Sequence, residues 1–254
     1  MGLIRAAMGS VTGAIKDQFL DAVEPYDMGE HTVFTVGRMK QKQSFGDKGE
    51  VISNGSVIHV YDNQFMILTD GGKIIDYTAE PGYFVVDNSS SPSMFSGEFK
   101  ESLLDAWERF KFGGGSPKEQ RVYYINLQEI KGIKFGTPSP VNYFDNFYNA
   151  ELFLRAHGTY SIKIVDPLKF YREVIPKNAD HVSINDINDQ YKSEFMDALQ
   201  SAINQMSADG IRISYVTSKS RELSKYMASV LDEDWTQLRG MEVQSVGIAS
   251  VSYD

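Results

Sequence analysis

The side chains that most often carry out chemistry in proteins occur in this sequence without the spacing that chemistry needs. Its four histidines, His31, His59, His157 and His181, share no pattern typical of metal ligands. Cysteine is absent, which excludes disulfides, thiolate catalysis and cysteine-based zinc sites within these residues. No G-x-S-x-G motif marks a serine nucleophile. We interpret the histidines as ordinary surface or edge-strand residues, although Ser, His and Asp residues far apart in sequence could converge in space.

Two short segments have the composition of ligand-binding loops but not their pattern. Residues 113–118 are rich in glycine, yet they lack the Walker motif, and Pro117 removes a backbone donor that a phosphate would need. We interpret them as a flexible connector. Residues 186–189 lack the glycine and the distal glutamate of a calcium loop. The sequence therefore predicts no cofactor, no metal and no small-molecule substrate.

Three consecutive carboxylates, Asp232, Glu233 and Asp234, lie near the end of a predicted helix. The helix dipole disfavours negative charge at that end by a few tenths of a kcal/mol for each group, on the order of 0.3. A solvated acidic surface is one interpretation of this run. The other is an electrostatic contact with a neighbouring subunit or partner.

The overall composition describes a folded chain that does not bind nucleic acid. Of 254 residues, 42% are hydrophobic and 23% are charged, so extensive disorder is excluded. The net charge of −9 argues against a nucleic-acid partner, which requires a basic surface. No run approaches the roughly 20 apolar residues of a membrane span, and the first residues do not read as a signal peptide. We expect a cytoplasmic protein.

The chain begins with an amphipathic pattern that predicts a helix over residues 3–23, which Pro25 ends. The apolar stripe that would contact a membrane or a partner consists of Leu3, Ile4, Met8, Val11, Ile15 and Phe19. In one interpretation this stripe packs on the protein's own sheet. In the other it lies in a membrane surface or against another chain, and apolar insertion dominates because the polar face carries few cations.

The remaining sequence predicts an α+β fold in two subdomains, with the amphipathic helix placed at residues 1–27. Short apolar runs separated by turns about every ten residues predict a β-rich first subdomain over 28–136. A Pro-rich break at 137–140 precedes a second subdomain over 141–254. That subdomain combines one long alternating strand around 152–164, two helices and a closing strand, whose apolar parity shifts between Val243 and Val246 and so predicts a β-bulge.

This order of elements resembles the SPFH or band-7 domain shared by stomatins, prohibitins and flotillins. Three segments carry the resemblance: residues 57–87, with Pro81-Gly82-Tyr83-Phe84; residues 158–167, which end in Asp166-Pro167; and the closing strand from Gly240 to Ile248. The whole chain is similar to a soluble bacterial branch called virion-core-protein-like, which opens with a similar Met1-Gly2-Leu3-Ile4 segment. It departs from typical stomatins, which have a membrane-spanning N-terminal segment and often a long coiled coil.

The resemblance implies a non-enzymatic, self-associating scaffold. Such a protein would lie peripherally at the cytoplasmic face of the plasma membrane, form homo-oligomers and organise lipids or membrane proteins, for instance in maintaining the envelope under stress. A soluble adaptor is the alternative; it would dock a membrane protease or membrane-remodelling partner through the N-terminal helix. An enzyme without a readable motif is a second alternative, and a deep pocket with converging titratable groups would distinguish it.

Overall fold

The computed structural model describes residues 4–6, 22–39, 51–88 and 119–253. The strands in chain order are β1 (Ile4–Ala6), β2 (Val23–Pro25), β3 (Thr32–Met39), β4 (Val57–Val60), β5 (Gln64–Asp70), β6 (Lys73–Thr78), β7 (Gly82–Val86), β8 (Gln120–Asn126), β9 (Ile130–Gly136), β10 (Val141–Asp145), β11 (Ala150–Ile164), β12 (His181–Ser183) and β13 (Met241–Tyr253). The helices are α1 (Pro167–Glu173), α2 (Ile184–Ala208) and α3 (Ser220–Leu231), with a 3₁₀ turn at Ile213–Ser218 and a π-helix at Asp232–Gln237. The predicted α+β class is confirmed.

The chain divides into two units. The first contains the described residues up to Asn126 together with Pro176–Val182, and the second contains Leu127–Ile175 and the residues from Ser183 onward. The division therefore falls ahead of the Pro-rich break that the sequence suggests. The reason is β9, which pairs with β11 and so belongs to the second sheet rather than to the first.

The first unit is built on a sheet with the strand order β1-β7-β4-β2-β3-β8-β5-β6, in which β12 also pairs with β3. Its core consists of alternate apolar residues from these strands, because successive side chains of a strand point to opposite faces. Tyr124 lies fully buried in this core, and its hydroxyl lies 2.9 Å from the carbonyl oxygens of Val23 and His59. Burial raises the pKa of Tyr124 well above its usual value.

The second unit is built on β11, which pairs with β13 along one edge and with β10 and β9 along the other. Its side chains alternate as predicted: Leu154, Ala156 and Tyr160 are buried, whereas Arg155 and His157 are exposed. The helices pack on the buried side, where the ring of Tyr160 stacks on that of Phe195 in α2 at 4.0 Å between centroids. The opposite side, named here the open face, has no helix packed on it among the described residues.

Two extra residues interrupt the ladder between β11 and β13. Ser161 pairs with Ser245 and Ile162 with Val243, so Gln244 is bulged and the β-bulge predicted in this strand is confirmed. A second register shift lies between His157 and Gly158. Each bulge increases the local twist and re-aims the side chains that follow it.

A polar network fixes the end of the helical layer. The indole Nε1 of Trp235, a buried residue of the π-helix, donates to Glu194 Oε2 at 2.8 Å. Arg239 donates to both carboxylate oxygens of the same glutamate, at 2.8 and 3.0 Å. Because a bidentate guanidinium satisfies the carboxylate, Trp235 can be buried with its N–H bonded. At the other end, Asp186 accepts from the Ser183 backbone N–H at 2.7 Å, as the capping-box pattern predicts.

The described parts of the predicted N-terminal helix are strands. Ile4, Arg5 and Ala6 pair with Val86, Val85 and Phe84 of β7, and Val23 pairs with β3 and β4. The helical prediction was therefore wrong at both of its ends, because sheet edges offer backbone hydrogen bonds that local periodicity does not anticipate. Its central part, residues 7–21, lies outside the described residues, as does the helix predicted around residues 102–112. None of the described helices is long and apolar enough to cross a membrane.

Candidate functional site

The hairpin that joins β10 to β11 concentrates exposed aromatic side chains, and we name it the aromatic hairpin. Phe144 and Phe153 lie on the outward side of the two strands. Phe147 and Tyr148, in the turn, are 58% and 62% exposed. Their rings meet edge to face, with centroids 5.0 Å apart. Such a concentration of large apolar surface at one end of a unit is typical of an interaction site.

The turn is held by the carboxylate of Asp145, which is fully buried. Its Oδ1 accepts from the backbone N–H groups of Phe147 at 2.8 Å and Tyr148 at 3.2 Å, and its Oδ2 accepts from the N–H of Ile213 at 2.8 Å. These hydrogen bonds, that of Ile213 first, lower the pKa of Asp145 against the opposing effect of burial, and Arg212 adds to the lowering. A charged Asp145 thus fixes the backbone that carries the exposed rings.

Further contacts attach the hairpin to the end of α2 and to the segment that follows it. The amide Nδ2 of Asn146 donates to the Ser207 carbonyl at 3.1 Å, and the Tyr143 hydroxyl donates to the Ile211 carbonyl. Burial raises the pKa of Tyr143 to about 12, so this hydroxyl stays protonated. Asn149 ends the turn with a φ of 51°, a left-handed conformation that asparagine tolerates better than most residues. The aromatic hairpin is therefore pre-organised.

Charged groups of both signs flank the aromatic rings. The guanidinium of Arg212 lies over the ring of Phe147, 3.6 Å from its centroid. Arg155 and Glu151 are exposed on the same face of β11 as Phe153. They lie two residues after and two residues before Phe153 along the strand. The surface can therefore combine apolar contacts with hydrogen bonds from guanidinium groups to an anionic or polar partner.

The first unit carries a smaller aromatic surface around His59. The His59 ring stacks on Tyr83, with centroids 4.1 Å apart and an angle of 10° between the planes, and it also touches Tyr61 at 4.0 Å. Its Nδ1 lies 3.2 Å from Glu24 Oε1. Within the same unit, the Arg38 guanidinium lies 3.6 Å from the centroid of the Tyr26 ring. His59 and Glu24 engage each other and the rings stack on one another, so we interpret the cluster around His59 as structural.

The structure places the described candidate site residues of the sequence in separate elements. Asp232, Glu233 and Asp234 lie side by side on the π-helix, and all three are exposed. Ile4 lies in β1, whereas Leu3, Met8, Val11, Ile15 and Phe19 lie outside the described residues. The four histidines do not converge: His31, His157 and His181 are exposed, and His59 belongs to the tyrosine cluster of the first unit.

Within the described ranges, no group of three or more His, Cys, Asp or Glu side chains is arranged to hold a metal ion. A cavity of about 10 Å³ in the second unit is lined by Tyr160, Ile162, Ile184, Tyr191, Trp235 and Met241. That volume would hold about one water molecule, and the lining is apolar. The cavity is a packing defect beside the π-helix and offers no room for a substrate.

Sequence reasoning missed the aromatic hairpin, although two signals pointed to it. Five aromatic residues fall within residues 143–153 around an Asp-Asn turn pair. Phe153 also breaks the polar parity of the long strand, because it is an apolar residue on the solvent side. Residues 141–145 were not assigned to a strand at all, since five residues after a Pro-rich segment carry little periodic signal.

The profile of the SPFH domain-Band 7 family matches residues 44–254, more than four-fifths of the chain. Proteins of this family are in general membrane-associated scaffolds that typically form oligomers, and the family is generally non-enzymatic. No curated protein matches the chain.

Proposed function

The chain belongs to the SPFH domain-Band 7 family, and on that premise we propose that it is a non-enzymatic, self-associating scaffold at the cytoplasmic face of a membrane. The family match over both units is the observation that carries the proposal. In this function the protein contacts lipid peripherally and organises lipids or membrane proteins, for instance when the envelope is under stress. Repeated subunits would turn many weak lipid contacts into stable attachment through avidity.

The N-terminal apolar stripe is the first proposed membrane contact. Removing residues 1–24 would also remove β1 and most of β2, so a deletion would damage the first sheet as well as the stripe. Point substitutions between these strands avoid that problem. We expect the triple variant Val11→Ser/Ile15→Ser/Phe19→Ser to lower the vesicle partition coefficient at least about tenfold. Full burial of a Val, Ile or Phe side chain is favourable by roughly 1.5–3 kcal/mol, and a serine at the same position loses this contribution to binding.

The measurement is co-flotation of the intact chain with phospholipid vesicles, with light scattering on the same samples. The matched control is Thr12→Ser/Gln18→Ser, which changes the same segment without touching the stripe. If the intact chain floats and forms large particles, the scaffold proposal holds. A chain that stays small, does not float and captures a membrane protein instead would be the adaptor that the sequence leaves as an alternative.

The acidic run on the π-helix is the proposed subunit contact. We expect Asp232→Asn/Glu233→Gln/Asp234→Asn to reduce the particle mass measured by light scattering at low salt, because a charge contact between copies loses one partner. Raising the salt to about 0.5 M should do the same to the intact chain, since screening shortens the Debye length to a few Å, about 4. Glu30→Gln/Glu80→Gln/Asp197→Asn removes three exposed carboxylates elsewhere and serves as the control. Equal particle mass in both triple variants would exclude the acidic run as a contact.

A further inference from the structure

The aromatic hairpin presents apolar rings on a turn rather than inside a groove. Phe147 and Tyr148 are the two most exposed large aromatic side chains of the second unit among the described residues. A protein partner would need a complementary pocket for such a tip, whereas the interfacial region of a bilayer accepts it without one. Phenylalanine and tyrosine suit that region because each offers a large ring, and tyrosine adds a hydroxyl that can stay at headgroup level.

From this geometry we propose that the turn between β10 and β11 inserts Phe147 and Tyr148 into the interfacial region of a phospholipid bilayer. The inference rests on the proposed function and adds to it a second membrane contact, remote in sequence from the N-terminal stripe. The occupant is phospholipid, in which the rings lie at the glycerol and upper acyl level.

The charges beside the rings complement the phosphate layer of such a bilayer. Arg212 holds its guanidinium over Phe147 at 3.6 Å, so a ring inserted just below the headgroups places this cation at the depth of the phosphates. Arg155 extends from the same side of β11 as Phe153. Each guanidinium can donate two hydrogen bonds to one phosphate group, which a lysine in its place could not do in the same geometry.

Acidic groups close to the aromatic rings limit how strongly membrane binding depends on the charge of the lipid. Glu151 lies on the open face beside Phe153, and Asp209 lies three residues before Arg212, where Gln205 donates to it at 2.8 Å and Tyr226 also donates. Together with the buried carboxylate of Asp145, these two groups offset the two cations around the tip. We therefore expect the aromatic hairpin to bind zwitterionic phosphatidylcholine nearly as well as mixtures with an anionic lipid, because apolar insertion and phosphate contacts are available in both.

Rigidity of the turn favours insertion over an adaptive contact. Asp145 holds the N–H groups of Phe147 and Tyr148, and Asn146 is bonded to the end of α2. A turn that is already ordered loses little conformational entropy when it enters the interface, so more of the apolar contact energy is retained as binding.

The test compares full-length variants by co-flotation with vesicles of phosphatidylcholine alone and of phosphatidylcholine with phosphatidylglycerol at about 7:3. Phe147→Ser/Tyr148→Ser removes both rings and leaves the backbone donors to Asp145 in place. Val230→Ser/Leu238→Ser is the matched control, because it removes two exposed apolar side chains from the helical layer of the same unit. Arg212→Gln keeps the rings and removes the guanidinium. Equal urea midpoints for all variants establish that each is folded.

We expect the hairpin variant to lower the partition coefficient on both lipid compositions by about tenfold, a change equivalent to 1.4 kcal/mol, while the control stays within about twofold. Arg212→Gln should weaken binding to both compositions about threefold. A hairpin variant that floats like the intact chain overturns this inference and leaves the proposed function standing. If the intact chain floats with neither lipid composition, both this inference and the proposed function are overturned. Unchanged flotation with a smaller particle mass would identify the hairpin as a subunit contact and overturn its insertion into lipid.

Discussion

Replacing Gly158 with alanine should lower the free energy of unfolding by about 3–5 kcal/mol. Gly158 is buried in β11 at the register shift between His157 and Gly158 against β13. A Cβ built on it would lie 1.9 Å from the carbonyl oxygen of Gly247 and 3.1 Å from the Cα of Ile248. These are backbone atoms, so no side-chain rotation can relieve the overlap, and the two strands must separate.

The neighbouring glycine on the partner strand supplies a sharp control. A Cβ on Gly247 would find its nearest atom, the Thr159 carbonyl oxygen, at 3.8 Å, which is an ordinary contact. We expect Gly247→Ala to change the free energy of unfolding by less than about 1 kcal/mol. Urea unfolding followed by far-UV circular dichroism gives both values. Equal urea midpoints for Gly158→Ala and Gly247→Ala would mean that the two strands do not approach each other closely at this bulge.

Replacing Asp145 with asparagine should cost about 2–4 kcal/mol at neutral pH, although the two side chains have nearly the same shape. The carboxylate accepts three backbone N–H groups with its two oxygens. An asparagine can keep one oxygen toward Phe147 and Tyr148, but its amide then faces the N–H of Ile213. Two donors then oppose each other in a buried position, and one of them stays without an acceptor. Asp145→Ala should be more destabilising still.

The cost should depend on pH in a defined direction. Since the pKa of Asp145 is lowered on folding, its contribution is fully present above the unfolded value of about 4 and is lost as pH falls through the folded pKa. The asparagine variant has no such group. The difference in stability between the two proteins should therefore be constant from about pH 5 to 8 and should shrink below about pH 4.

Parallel urea titrations at several pH values measure this difference. Glu151→Gln, a change of the same kind at an exposed position of the same hairpin, is the control and should give a difference within about 0.5 kcal/mol at every pH. A gap between Asp145 and its asparagine variant that persists unchanged to pH 2 would mean that shape, not charge, fixes the turn.

Long elements could be read from the sequence because one periodic pattern ran through each of them. The alternation along residues 152–164 placed β11, and the stripe from Ile184 to Met206 placed α2. The shift of parity between Val243 and Val246 even located a bulge, because a bulge moves every following side chain to the other face. In these elements local pattern and tertiary environment agree.

The short strands could not be predicted from a periodic pattern. Ile4–Ala6 and Val23–Pro25 have three residues each, so neither can show a period, and the amphipathic pattern between them extended the predicted helix over both. Their state is decided by the edges of β7 and β4, which are remote in sequence. The candidate site was missed for the same reason, since only pairing between β10 and β11 brings Phe144, Phe147 and Phe153 onto one hairpin.

The bulges of β13 bear on how copies of this chain can associate. β13 pairs with β11 on one side, and its other side meets no strand among the described residues, so its thirteen residues form a sheet margin. Ser224 of α3 covers this margin at Val246, whose N–H donates to the Ser224 Oγ at 2.8 Å. A flat margin of that length would recruit a further strand and then another, which is the route to fibrils. Two interruptions in one strand give this margin a local twist that a second copy could not follow in register. Copies of the chain can then associate through side-chain surfaces into assemblies of finite size. Uncontrolled cross-β polymerisation is disfavoured by the bulged backbone of β13 itself.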